Sequence, residues 1–240
     1  AIYASGSGEY DYQGSENFFT FGGKPKDHGG REVMSWIYSN TNPYYPKNHR
    51  PRIWAWNLDT GKLLWEKDFS KYGKGGNDCG ICILDGKLFY SVFFGYATSQ
   101  KKRRGLPVEN NGFTACLEPK TGKVVWSYDS GTANGNSGKR IEVHAFQPLA
   151  DGRIMIAESG ARRIIEIDRA GKIHHTVKLQ VKKPPPHRDT RLVRKIANGN
   201  YLVCHEGDGA VREYDGKSGK VVWEFDVPLF GKPRRGGHGP

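Results

Sequence analysis

One short pattern recurs four times in this chain and constrains the fold more than any other feature. The copies are Asp59-Thr60-Gly61-Lys62-Leu63-Leu64-Trp65, Lys120-Thr121-Gly122-Lys123-Val124-Val125-Trp126, Arg169-Ala170-Gly171-Lys172-Ile173-His174-His175 and Lys217-Ser218-Gly219-Lys220-Val221-Val222-Trp223. Their glycines stand 61, 49 and 48 residues apart. Self-similarity at a period of about 40–50 residues marks a repeat architecture, in which no single unit can bury its own apolar side. Between the copies lie short runs rich in Val, Ile, Tyr, Phe and Trp, and helical periodicity is nearly absent.

Asp-Gly and Asn-Gly pairs at Asp85-Gly86, Asp151-Gly152 and Asn198-Gly199 separate alternating apolar runs. Such pairs are hairpin turns, because both central residues take positive φ. Each repeat therefore reads as four strands, A to D. The predicted strands are 142–149, 153–158, 163–168 and 172–179 in the third repeat, and 189–196, 201–205, 210–215 and 221–227 in the fourth. The second repeat reads as 80–84, 87–95, 113–117 and 124–128. The first is less regular, at 17–21, 32–39, 52–57 and 63–68.

Four-stranded units at this spacing predict an all-β fold, a β-propeller of four-stranded blades. The expected domain is a single one over 1–240, with blades at about 16–68, 76–129, 141–179 and 188–227 and an inter-blade tail at 228–240. Residues 1–15 and the tail are left over, which points to a fifth blade or to a segment of a larger propeller. The Trp four residues past each turn Gly falls on the outermost strand, where a flat ring can wedge between neighbouring blades. Trp65, Trp126 and Trp223 take that position, and His175 replaces them in the third repeat.

The stretch Ala115-Cys116-Leu117-Glu118-Pro119-Lys120-Thr121-Gly122-Lys123-Val124-Val125-Trp126 resembles the quinoprotein-type repeat, with its Thr-Gly turn and following Trp. Repeats one and four resemble it nearly as well. The resemblance is to the PQQ-like repeat β-propeller family. It implies a propeller and an exported location, periplasmic or secreted. Such repeats occur in pyrroloquinoline-quinone dehydrogenases and in an outer-membrane assembly scaffold. Quinone-dependent relatives carry a vicinal Cys-Cys pair and an eight-bladed ring; this chain has no such pair. Its third and fourth repeats also resemble blades of arylsulfotransferase-like propellers, which use a central histidine.

The chain carries a net charge of +12 over 240 residues, with 36% hydrophobic residues. No apolar run reaches the roughly 18 residues of a membrane span. Propeller topology puts the A–B and C–D turns on one face and the B–C loops and blade connections on the other. The eight loop and connection segments hold 19 Lys and Arg against 8 acids, so almost the whole surplus lies on that loop face. A one-sided field of this kind steers anions. The candidate ligand-binding residues are Lys101, Lys102, Arg103 and Arg104 in the longest loop, with His49, Arg50, Arg162, Arg163 and Arg188. Arg forks suit carboxylate, sulfate or phosphate. The expected partner is an acidic polymer, an anionic ligand or a protein; nucleic acid is set aside, since no recognised nucleic-acid motif is present.

Chemistry has weaker signals. His144, His187, Asp189, His205 and Glu206 fall in blades three and four near the loop face, and His beside a carboxylate can act as a general base. Cys79 and Cys82 form a C-x-x-C, but on a strand residues three apart point to opposite sides, so no metal site is expected. The sequence reading is a non-catalytic binding or scaffold propeller without a cofactor. The alternative is an enzyme, either quinone-dependent with calcium or sulfotransferase-like, with its site over the central channel.

Overall fold

The computed structural model describes residues 1–6, 52–69, 77–93, 112–182 and 188–228. They divide between two compact units, one of residues 1–78 with 94–111 and one of residues 79–93 with 112–240.

In the first unit, strands β1 (Ile2–Gly6), β2 (Arg52–Trp56) and β3 (Leu63–Asp68) form an antiparallel sheet in that order. Ile53 and Ala55 alternate into its core, and Trp54 stacks on Trp56 with ring centroids 6.2 Å apart. The strand beside Arg52–Trp56 comes from residues that the repeat pattern left outside the blades. The expected strands at 17–21 and 32–39 lie outside the described residues. Strand pairing across some fifty residues carries no turn signature, so a short apolar run such as Ile2-Tyr3-Ala4 gives no local hint of its neighbour.

In the second unit, three four-stranded antiparallel sheets follow one another. The first holds β4 (Asn77–Leu84), β5 (Lys87–Phe93), β6 (Gly112–Leu117) and β7 (Val124–Asp129). The next holds β8 (Glu142–Pro148), β9 (Ile154–Ser159), β10 (Arg163–Ile167) and β11 (Ile173–Lys178). The last holds β12 (Leu192–Lys195), β13 (Tyr201–His205), β14 (Ala210–Tyr214) and β15 (Val221–Asp226). These are the expected blades two to four, each strand within a few residues of its predicted span. The chain is an all-β protein of propeller type.

The repeated pattern has a local cause. In each copy the third strand carries a bulge just before the turn, at Ala55/Trp56, Cys116/Leu117, Glu166/Ile167 and Glu213/Tyr214. Gly61, Gly122 and Gly219 then adopt φ of 65°, 66° and 68°, a left-handed conformation that closes the bulged hairpin at no steric cost. Asn57, Asp168 and Asp215 pre-form three of these turns. The Asp215 carboxylate, for example, accepts from the amides of Lys217 at 3.2 Å and Ser218 at 2.7 Å.

Blade three is a wall with two sides. Ile154, Ile156, Ile165 and Ile167 pack with Phe89, Cys116, Tyr128 and Phe146 towards blade two. Met155, Ala157 and Ile164, interleaved with them in sequence, pack with Val193, Tyr201, Val203 and Tyr214 towards blade four. Period-2 alternation thus divides one strand between two cores. The outer-strand ring wedges as expected at both junctions. Trp126 Nε1 donates to the carbonyl of Arg169 at 2.7 Å, and His175 stacks on Tyr201 with centroids 6.1 Å apart. On β15, Trp223 is 48% exposed and stacks on Phe225.

Candidate functional site at the inner strands

Strands β4, β8 and β12 are the innermost of their blades. Gln147 ties two of them together, its side-chain amide accepting from the Lys195 amide at 3.0 Å. Between the three strands lies a cavity of about 340 Å³, lined by Ile81, Ile83, Phe146 and Leu192 and by the polar His144, Gln147 and Arg194.

His144 owes its place to a second kind of bulge. On β8, Val143 pairs with Glu158 and Ala145 with Ala157, so His144 has no opposite number on β9. Bulges re-aim a side chain in this way and are over-represented beside functional sites. The ring is 8% exposed and meets Glu142, which is fully buried, at 3.0 Å from Nε2 to Oε2. Arg140 holds the other Glu142 oxygen at 2.6–2.7 Å. Arg191, the residue before β12, reaches His144 Nδ1 at 3.2 Å and Nε2 at 3.4 Å, and Glu206 at 2.9 Å. The ring is held between an acid and a cation.

Arg194 donates to the Val193 carbonyl at 2.9 Å and has no carboxylate partner among the described residues. Cys82 lines the same cavity. Burial pushes its thiol up, against the opposing pull of Arg194, which leaves it protonated and a poor nucleophile at neutral pH.

The remaining expected residues have other duties. His205 is buried, its Nδ1 2.7 Å from the Asp189 carbonyl and its Nε2 2.9 Å from the Tyr214 hydroxyl. Burial lowers its pKa, so it is a neutral core histidine. Asp189 accepts from the Ser159 hydroxyl and from the Gly160 amide at 2.7 Å, joining the connection before β12 to the loop of blade three. Burial raises its carboxyl, against the pull of those bonds. Arg163 is paired with Glu158 at 2.6 Å and caps the Asn134 carbonyl at 3.0 Å. Arg162 is exposed, with φ of 53°. The Arg188 carbonyl accepts from the Gly207 amide at 2.6 Å. His49, Arg50, Lys101, Lys102, Arg103, Arg104 and His187 lie outside the described residues.

Loops and blade connections therefore do meet, but as latches between blades as much as a field of free cations. One connection also reaches past them, since Asn134 donates to the Gly171 carbonyl of a C–D turn at 3.1 Å. Of the expected catalytic set, the structure brings together His144 and Glu206, through Arg191, and His205 with the backbone of Asp189. Sequence reasoning missed Arg191, Arg194, Glu142 and Arg140. The available signal was polar residues on otherwise apolar innermost strands, as in Glu142-Val143-His144 and Arg191-Leu192-Val193-Arg194.

A family model described as outer membrane protein assembly factor BamB matches residues 52–236. No curated protein matches the chain. Among solved structures, a protein of unknown function from Bacteroides caccae is similar at TM-score 0.52 and 19% identity, covering 75% of this chain and 54% of that one. BamB from Moraxella catarrhalis is similar at TM-score 0.43 and 13% identity, over 74% of this chain and 46% of that one. Virginiamycin B lyase from Staphylococcus aureus gives TM-score 0.46 and 18% identity, over 74% and 49%. The chain thus spans about half the length of the solved structures it matches. At these identities the first of the three likenesses speaks to fold alone.

Proposed function

This chain belongs to the family described as outer membrane protein assembly factor BamB, and from that premise we propose that it is a non-catalytic binding propeller for an acidic partner, working outside the cytoplasm. The observation that carries the reading is Arg194, lining the inner-strand cavity without a carboxylate partner among the described residues, with His144 in the same lining and Arg191 bonded to it. An acidic polymer or protein segment lying on the loop face would insert one anionic group here. A guanidinium suits a carboxylate or sulfate oxygen through paired hydrogen bonds. The basic run Lys101 to Arg104, with His49, Arg50, Arg162 and Arg188, supplies steering at longer range. Among the described residues no helix is long and apolar enough to cross a membrane.

The reading uses no quinone and no calcium. Calcium takes about six to eight oxygen ligands. Glu142, which His144 meets, is already held by Arg140 as well.

The test is a titration with a sulfated polysaccharide at two salt concentrations. Binding that weakens with salt and falls in an Arg194→Gln variant supports the reading. Unchanged affinity in that variant, or no binding by the parent chain, overturns it. A variant with Lys101, Lys102, Arg103 and Arg104 changed to Ser reports the share due to steering. One observation favours a second reading, a sulfotransferase-like enzyme: His144 is an oriented histidine on a bulge, bonded to an arginine. Turnover of an aryl sulfate that is lost in His144→Asn would establish it, and absence of turnover in the parent chain would remove it.

A further inference from the structure

A larger cavity, of about 480 Å³, lies between blades two and three beside the turns at Asp85, Gly152 and Arg169, and adjoins the first cavity at Leu84 and Pro148. Its volume falls in the range of about 300–1,000 Å³ that small-molecule sites occupy. Phe89, Leu149 and Ile154 line it with apolar surface, and Cys116, 5% exposed, is at its floor.

Two features make this cavity more than a gap between blades. One wall is the indole of Trp126, locked in place: its Nε1–H is bonded to the Arg169 carbonyl at 2.7 Å and its ring is parallel to Tyr128, 4° apart in plane. A ring fixed before binding loses little entropy when a flat ligand lies on it. The second feature is charge. Lys87 and Arg169 line the cavity, and neither has a carboxylate partner among the described residues. Arg153, also in the lining, is already held by Asp151 and by Glu166 at 2.9 Å. The acid in the lining is Asp85, an exposed turn residue. Burial pushes the Cys116 thiol up, and Arg169 and Lys87 pull the other way against a weaker push from Glu118. Both cations therefore act on the floor of the cavity as well as on solvent.

We propose that this cavity is a second binding site, for a small flat organic carboxylate whose ring lies on Trp126 and whose anionic group is taken by Arg169 and Lys87. The ring replaces water against apolar side chains, and the carboxylate supplies the charge the two cations lack. The site adjoins the inner-strand cavity, since Leu84 and Pro148 line both, but its cations, Lys87 and Arg169, are not those of that cavity.

Calorimetric titration with 2-naphthoate, and with 2-naphthylmethanol as its neutral counterpart, tests the proposal. The whole chain is compared with a Lys87→Gln/Arg169→Gln variant and with Arg194→Gln. Charge-assisted bonds of this kind predict that naphthoate binds about ten-fold or more tightly than the alcohol, and that the double variant loses that advantage. Arg194→Gln is expected to bind naphthoate as the parent does, which separates this site from the proposed acidic-partner site. No binding of naphthoate, equal binding of the alcohol, or an unchanged affinity in the double variant would overturn the proposal. Thermal melting of the double variant, expected within about 2–4 °C of the parent for exposed substitutions, guards against reading misfolding as lost binding.

Discussion

Trp126 and Arg169 are 43 residues apart in sequence, yet the indole of one is bonded to the backbone carbonyl of the other at 2.7 Å. The bond joins the outer strand of one blade to the C–D turn of the next, which makes the recurring Trp an inter-blade tie as well as a filler. Trp126→Phe keeps an aromatic wall but removes the donor. The expected loss is about 1–2 kcal/mol, a net hydrogen bond plus some buried ring area. Urea unfolding of the two proteins checks it, and an unchanged midpoint would reduce the tie to surface contact.

Glu166 is the corresponding tie between blades three and four. It is 1% exposed and accepts from Tyr201 at 2.5 Å, Lys195 at 2.5 Å and Arg153 at 2.9 Å. Burial pushes its carboxyl up, but the bonds from Lys195 and Tyr201 outweigh this and hold it below the ordinary range. Glu166→Gln is expected to cost about 2–4 kcal/mol, since it leaves Lys195 without its acid and Arg153 with Asp151 alone. Sign follows from linkage: a depressed carboxyl adds stability that is fully present above about pH 4.3 and is lost as pH falls through its folded value. Acid titration of stability should therefore be shallower in the variant below about pH 4.3.

His205 predicts a pH dependence at milder values. Its folded pKa is lowered by burial, so between that value and about 6.5 the unfolded chain binds a proton that the folded chain does not. Stability falls as pH drops through that window. Asp189 acts in the opposite sense and nearer the carboxylate range, because its folded carboxyl is raised and takes up its proton first. Denaturant midpoints at pH 7.5 and 5.5, on the parent and on His205→Gln, separate the two. A slope that survives the substitution would assign it elsewhere.

Gly216 predicts a steric failure. A Cβ built there would lie 2.1 Å from the Gly199 carbonyl oxygen, so the A–B and C–D turns of blade four touch through backbone. Gly216→Ala is expected to destabilise by about 1–3 kcal/mol or more, since a carbonyl cannot swing aside as a side chain can. Gly152→Ala meets no atom within 4 Å and suffers only from its φ of 84°, which makes it the comparison by thermal melting.

The sequence was most readable where the cause of structure is local. Asp85-Gly86 and the Gly122 and Gly219 turns announce hairpins from two or three residues, and the strands between them alternate with period two. The outer-strand position of Trp126 and His175 followed from their offset to the turn glycine. Pairing of Ile2–Gly6 with Arg52–Trp56 was not readable, because register between distant strands is set by burial that only the assembled sheet reveals. The candidate site was half readable. His144 and Glu206 stood out as residue types, but the bulge that turns His144 is set by strand pairing within blade three, and the Arg191 that joins them comes from the next blade. A count of loop charges also treats Arg163 and Asp189 alike with free ions, although both are bonded into latches.

Met155 and Ile156 are covalent neighbours on β9, yet they belong to different cores. Substitutions at the two should add as if the residues were distant, while Met155 should be coupled to Val203, and Ile156 to Phe89, across the spaces they share. Distance along the chain and energetic kinship part company here: the middle blade is a common hinge-plate for two neighbours, and either junction can be tightened or loosened from one strand without disturbing the other.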